Sequence, residues 1–341
     1  MATLTTDFAA LTDDMLQRFG ERASAYDQEN RFFAEDFAEL WDSGYLLMPI
    51  PTAFGGLGLN LREVGLQQRR LAYRAPATAL AMNMHLYWMG IAAPLQAMGD
   101  ESCSWMLEEG ARGEVFAAGH GEAGNDLPVL LSSSRAERVD GGYQIYGHKI
   151  FGSLSPVWTR LGLHAMDNAD PANPKIVHAF LARDTPGYTI KETWDVLGMR
   201  ATRSDDTLLD GAFIPDRCIP RVVPAGFAGA DLFVLSLFAW GLIGFANVYT
   251  GVALRARDLA VAGLKKKTSV AMGGRSLAYH PLIQHSVAEM TLALDAIVPH
   301  VDRIMDDWCS GVDYGGEWPA KIVGLKHHLS LIHISEPTRP Y

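Results

Sequence analysis

Gly142-Tyr-Gln-Ile-Tyr-Gly-His-Lys-Ile-Phe-Gly-Ser153 is a short run of aromatic and β-branched residues broken by glycines. That composition suits a pleated strand and resists a helix. Lys175-Ile-Val-His-Ala-Phe180 has the same texture, and Gly, Pro, Asp and Asn punctuate the chain from Gly113 to about Pro224. The zone predicts an antiparallel β domain. On its N-terminal side Phe33, Phe37, Leu40 and Trp41 recur at helical spacing, with turn signals at Pro49, Pro51 and Gly55-Gly56. On its C-terminal side, from Asp231, long helical patterns return. Pro281 stands at a helix start there, and Val287, Met290, Leu292, Leu294, Ile297 and Val298 supply apolar positions. Helices, then strands, then helices indicate an α+β fold and not βαβ alternation. The expected division is an N-terminal helical domain over 1–112, a middle β domain over 113–225 and an incomplete helical bundle over 226–328.

The bulk numbers narrow the function. The chain has 341 residues, 48% of them apolar, and a formal net charge of −10, with no basic cluster beyond Lys265 to Lys267. A nucleic-acid partner is not expected, because phosphate binding needs many Lys and Arg. Cys103, Cys218 and Cys309 follow no metal or disulfide spacing, so a reduced, cytoplasmic setting and no metal are expected. Acidic residues come early after Met1 and no secretory pattern appears. Leu232 to Leu254 is nearly free of polar residues and about long enough to span a bilayer. It also carries Gly241, Gly244 and Gly251, and the centre of a helical bundle requires the same pattern, so a buried helix is the preferred reading.

Phosphate loops, nucleophile elbows, zinc-protease motifs and dinucleotide fingerprints are missing from the sequence. Two segments remain. In Phe116-Ala-Ala-Gly-His-Gly-Glu-Ala-Gly-Asn-Asp126 small residues let the backbone approach a flat ligand. In Gly147 to Ser155 a strand ends with Phe151 and Ser153 on one side, an aromatic face beside a hydroxyl. Each alone is equally a plain loop or strand end. Together with Pro51-Thr-Ala-Phe-Gly-Gly-Leu-Gly58, Leu197-Gly-Met-Arg-Ala-Thr-Arg-Ser204, Phe213-Ile-Pro-Asp216 and His280 to Met290, they stand in an order that resembles the acyl-CoA dehydrogenase family. The resemblance runs from Phe33 to His328. It implies FAD as cofactor, an acyl-CoA or related thioester as substrate, a flavin electron acceptor and a homotetramer. By residue, it implies flavin contacts at Phe116, Ala118, Gly119, Asn125, Phe151, Gly152 and Ser153, with the Ser153 hydroxyl offered to flavin N5.

The departures from the family pattern bear on function. Gly119 stands where the family has Thr, Asn125 replaces Ser, and Phe151 replaces Trp. The family's Arg-Lys-x-Phe-Gly segment is missing near Lys265 to Arg275. The implied reaction, α,β-dehydrogenation, needs a carboxylate base. The helical pattern from Asp231 to Lys267 contains no Glu, and its acids are Asp231 and Asp258, so no catalytic residue is assigned. Flavin monooxygenases of the same fold need no such base and form the alternative; a non-catalytic interaction or membrane-attached protein is the reading outside enzymes. From Leu329 to Tyr341 the sequence resembles a translated adapter, so a native chain interrupted near His328, and inactive in this form, is expected.

Overall fold

The computed structural model describes residues 8–226 and 231–334, with side chains to residue 329. Five helices come first: α1 (Asp13–Gln28), α2 (Ala34–Asp42), α3 (Leu61–Arg74), α4 (Pro76–Ala97) and α5 (Ser104–Ala111). Their starts are written locally. Thr12 caps α1, Asn60 and Glu63 form a reciprocal capping box on α3, and Pro76 opens α4 where an N–H would have no partner.

Eight strands follow: β1 (Phe116–Gly119), β2 (Arg135–Val139), β3 (Gly142–Gly152), β4 (Arg160–Asp167), β5 (Lys175–Ala182), β6 (Tyr188–Lys191), β7 (Asp205–Pro215) and β8 (Arg221–Pro224). They form one sheet in the order β6-β7-β3-β2-β4-β5-β8, with β1 also on β4. The expected antiparallel character needs correction, because β1 and β2 both run parallel to β4. The antiparallel β2–β3 excursion between them acts as the crossover that a parallel pair requires. Phe116 to Gly119 therefore lie beside Arg160 to Leu163, while Gly121 bridges to Ile150 on β3. The loop after β1 and the end of β3, 29 residues apart by number (150 minus 121), become neighbours.

Three helices close the described chain: α6 (Leu232–Lys266), α7 (Pro281–Cys309) and α8 (Trp318–Ile334). Residues 335–341 of the adapter-like tail lie outside the described residues. By length and composition α6 could cross a membrane, yet 67% of its apolar window is buried in the fold. Glycines explain how. A Cβ on Gly90 of α4 would come within 2.2 Å of the Trp240 ring, one on Gly244 within 2.3 Å of Asn83, and one on Gly251 within 2.4 Å of Arg69 carbonyl oxygen. Without side chains at these points α3, α4 and α6 approach closely, as helices do around small residues. One polar group of the seam is matched across it: Arg69 donates to Asn247 and Asp302.

Gly90→Ala should destabilise the protein by roughly 1–3 kcal/mol in denaturant titration, since the methyl overpacks the Trp240 contact. Gly241→Ala, on the same helix with nothing within 4 Å of the new Cβ, is its control. It should be neutral or stabilising by up to about 1 kcal/mol through helix propensity. Equal losses in the two would refute the close-approach account.

Candidate flavin site

The two segments singled out in the sequence meet. Lys149 of β3 is buried and donates to Glu122 Oε1 at 2.5 Å and to the His164 carbonyl at 2.6 Å. The Glu122 carboxylate, likewise buried, also accepts from the hydroxyls of Ser132 and Ser134, the backbone N–H groups of Ser133 and Ser134, and the Asn125 amide. Burial alone would raise the Glu122 pKa, but the Lys149 ammonium and the serine donors hold it well below the usual carboxylate range. For Lys149 burial wins, and its pKa is lowered to about 8 against the opposing pull of Glu122. The ion pair fastens the loop after β1 to the strand that ends in Phe151-Gly-Ser153. Sequence reading missed Glu122; the signal available was an acid in a glycine-rich loop and a lone Lys within an apolar strand.

Beyond Lys149 the backbone is strained. Phe151 (φ 59°), Leu154 (φ 66°), Met199 (φ 57°) and Arg203 (φ 43°) all adopt left-handed conformations. Such residues gather where surrounding structure over-determines them, often at functional sites. Here Arg200 donates to the Asp27 carbonyl and Arg203 to the Asn30 carbonyl, tying the 199–203 turn to the end of α1. That turn delivers Thr202 and Ser204 to Ser153, with 2.7 Å between Ser153 Oγ and Ser204 Oγ and 2.7 Å between Ser204 Oγ and Thr202 Oγ1. The polarity of this hydroxyl chain follows from counting protons. Thr202 donates to the Met199 carbonyl, so Ser204 donates to Thr202 and Ser153 donates to Ser204. Ser153 is left with lone pairs to offer.

The predicted contact residues divide. Phe151 is 59% exposed, its ring edge-on to Trp194 at 5.9 Å and close to side-chain-free Gly121, whereas Gly119 is buried against Leu161. With Gly152 and the Ser153 hydroxyl, this corner fits a planar aromatic group. Ala118 lies on β1 and is buried. Two expectations need correction. Phe116 is fully buried, packed against Phe180 at 5.7 Å and Trp105 at 6.0 Å, and its N–H bonds His85 Nδ1, so core packing consumes it. Asn125 spends its amide on Glu122 and the Leu131 carbonyl, which makes it part of the clamp.

Residues 6–105 match the family model described as acyl-CoA dehydrogenase, N-terminal domain. A putative acyl-CoA dehydrogenase of Bacillus subtilis, YdbM, is 27% identical over 295 residues, covering 85% of this chain and 74% of that protein. Over its N-terminal third the chain is thus similar to the acyl-CoA dehydrogenase family. Another relative, an L-evernosamine nitrososynthase of Micromonospora sp., is 29% identical over 72% of this chain and 58% of its own length. Among solved structures, FMN-bound TdsC of Paenibacillus sp. A11-2, a dibenzothiophene monooxygenase, superposes with a TM-score of 0.80 at 19% identity, covering 96% of this chain and 84% of that one. The fold is thus shared by proteins named for different reactions.

Two predictions follow from the buried groups. Glu122→Gln strands a buried ammonium and should cost about 3–5 kcal/mol, whereas adding Lys149→Met should recover much of that loss; denaturant titration of the pair and both singles measures it. Burial also lowers His85 to about 4 and His120 and His178 to about 3. The unfolded chain therefore binds protons first as pH falls below about 6.5, and stability drops by about 1.4 kcal/mol per pH unit for each such histidine. Stability measured from pH 7 to 5 should decline steadily; a flat profile would contradict neutral buried imidazoles.

Proposed function

We propose that this chain is a flavin-dependent oxidoreductase that grips the flavin ring between the Gly119–Gly121 backbone and the Phe151-Gly-Ser153 strand end. The observation that carries the reading is the convergence of these segments, through the Gly121–Ile150 bridge and the Glu122–Lys149 pair, on an exposed aromatic corner with a hydroxyl chain. When bound, the flavin supplies the redox chemistry and the protein supplies position and polarity. The Ser153 lone pairs favour a partner that carries a proton, which is the state of N5 in reduced flavin.

Within this reading an oxygen-using reaction fits better than α,β-dehydrogenation. Four acids of the β domain and of α6 are already engaged. Asp205 is held by Ser155 at 2.5 Å and by Arg203, Glu122 by Lys149, Asp231 by the α6 cap and Arg221, and Asp258 by Tyr73 and Arg257. A base for an α-proton needs a carboxylate with a free lone pair near the substrate. The nitrososynthase relative and the TdsC fold neighbour support the same direction. Dehydrogenation of an acyl thioester remains the second reading, favoured by the YdbM similarity and by benzylmalonyl-CoA dehydrogenase of Aromatoleum aromaticum, 29% identical over 77% of this chain. A homo-oligomer belongs to the proposal too: Leu259 on α6, Leu282 and Leu292 on α7 and Val270 in the turn between them are exposed, and a second copy would cover them.

The test is to reconstitute the protein with FAD or FMN and add short acyl-CoA thioesters without oxygen. The oxygenase reading expects an unchanged flavin spectrum, followed by rapid reoxidation by oxygen once the flavin is reduced chemically. Bleaching by a thioester would establish the dehydrogenase instead. Ser153→Ala should lower the flavin's reduction potential, since it removes an acceptor worth about 1 kcal/mol to the reduced ring; an unchanged potential would reject the N5 assignment.

A further inference from the structure

Behind the flavin corner, on the helix-facing side of the sheet, three histidines stand in a row. His164 and His178 are directly opposite on β4 and β5, and His120 lies in the segment continuing β1. Their protons can be placed. His164 Nε2 accepts from the Val129 N–H at 3.1 Å; the nearby Leu131 carbonyl is already served by Asn125, so the His164 proton sits on Nδ1. It donates to His120 Nδ1 at 3.0 Å, which leaves the His120 proton on Nε2. That buried Nε2–H has no hydrogen-bond partner among the described residues, and neither ring nitrogen of His178 has one although the side chain is fully buried. The hydroxyl of Ser236 on α6 is in the same position. It lies one helical turn beyond Phe233, whose ring meets the His178 imidazole edge-on at 5.2 Å, and Trp88 flanks His120 at 5.5 Å.

Each buried polar atom left without a partner has given up its hydration with nothing in return, so several along one seam need a physical reason. The facing groups limit what the seam takes. Burial above all, with Lys149 and Arg221 nearby, disfavours protonation of His178, and burial keeps His120 and His164 neutral against the opposing pull of Glu122, so the seam suits a neutral group. What is offered is at least one N–H donor, a neutral imidazole with one donor and one acceptor, and a hydroxyl, between aromatic walls.

We propose that the seam formed by His120, His178 and Ser236, walled by Trp88 and Phe233, binds a small neutral ring hydroxyl or similar group that both gives and takes hydrogen bonds. As a binding site this stands by itself; as the substrate class of the enzyme it rests on the flavin reading. An unsubstituted acyl chain would leave the same atoms unpaired and is the wrong complement.

The probes are phenol and toluene, added to the full chain while long-range proton–nitrogen spectra follow the imidazoles. Phenol should shift the His178 and His120 nitrogens and bind about tenfold tighter than toluene, the difference of roughly one hydrogen bond. His178→Leu should abolish that preference without lowering the melting temperature, because it replaces an unpartnered imidazole by an apolar group. Ser236→Ala, a smaller change inside a helix, should reduce the preference severalfold and serves if the first variant does not fold. Equal binding of the two probes, or no response of the histidine nitrogens to phenol, overturns the proposal and leaves bound water as the partner. Flavin content, measured on the same samples, separates the two readings: phenol binding in protein that takes up no flavin would defeat the flavin reading and leave this site intact.

Discussion

The buried ion pair between Glu122 and Lys149 is the constraint on which the candidate site depends. Two charges removed from water attract strongly only when their other lone pairs and protons are satisfied. Here the serines at 132 to 134, Asn125 and the His164 carbonyl do that. The result is a knot that joins the loop after β1, the residues just before β2, the later part of β3 and the middle of β4. Phe151, Gly152 and Ser153 follow within four residues of Lys149, so their placement is inherited from the knot.

A second constraint comes from the helices. Close approach of α3, α4 and α6 at Gly90, Gly244 and Gly251 places Trp88 against the sheet, where its indole rests on Gly162 and donates to the Ala117 carbonyl at 3.0 Å. The same packing sets Phe233 against His178. The bundle's steric economy and the sheet's polar seam are therefore one arrangement: swelling the helix contacts would open the space around the histidines.

The flavin corner and the histidine seam lie on two sides of one short segment. Gly121 lies against Phe151 without a side chain, while His120 just before it packs against Trp88 of α4. Alternation along an extended chain accomplishes this in two residues. A ligand bound through His120 and a ring resting on its neighbouring glycine would be held at a fixed separation, which is what a transfer reaction between them needs.

Composition and spacing alone determined the α+β order, the buried character of Leu232 to Leu254, and the two segments that carry the site, because these depend on patterns repeated over a few residues. The family resemblance was also legible from motif order. Tertiary structure decided the rest. The parallel pairing of β1 and β2 with β4 depends on a crossover, which local propensity does not specify. Core burial of Phe116 and capture of Asn125 by Glu122 depend on neighbours that the chain reaches only after folding. Glu122 finds Lys149 at a separation of 27 residues, and Ser153 finds Ser204 at 51. Hydrogen-bond direction, and with it the donor or acceptor character of Ser153 and His120, is set by those distant partners, since a hydroxyl or neutral imidazole has one proton and gives it to whichever acceptor the fold supplies.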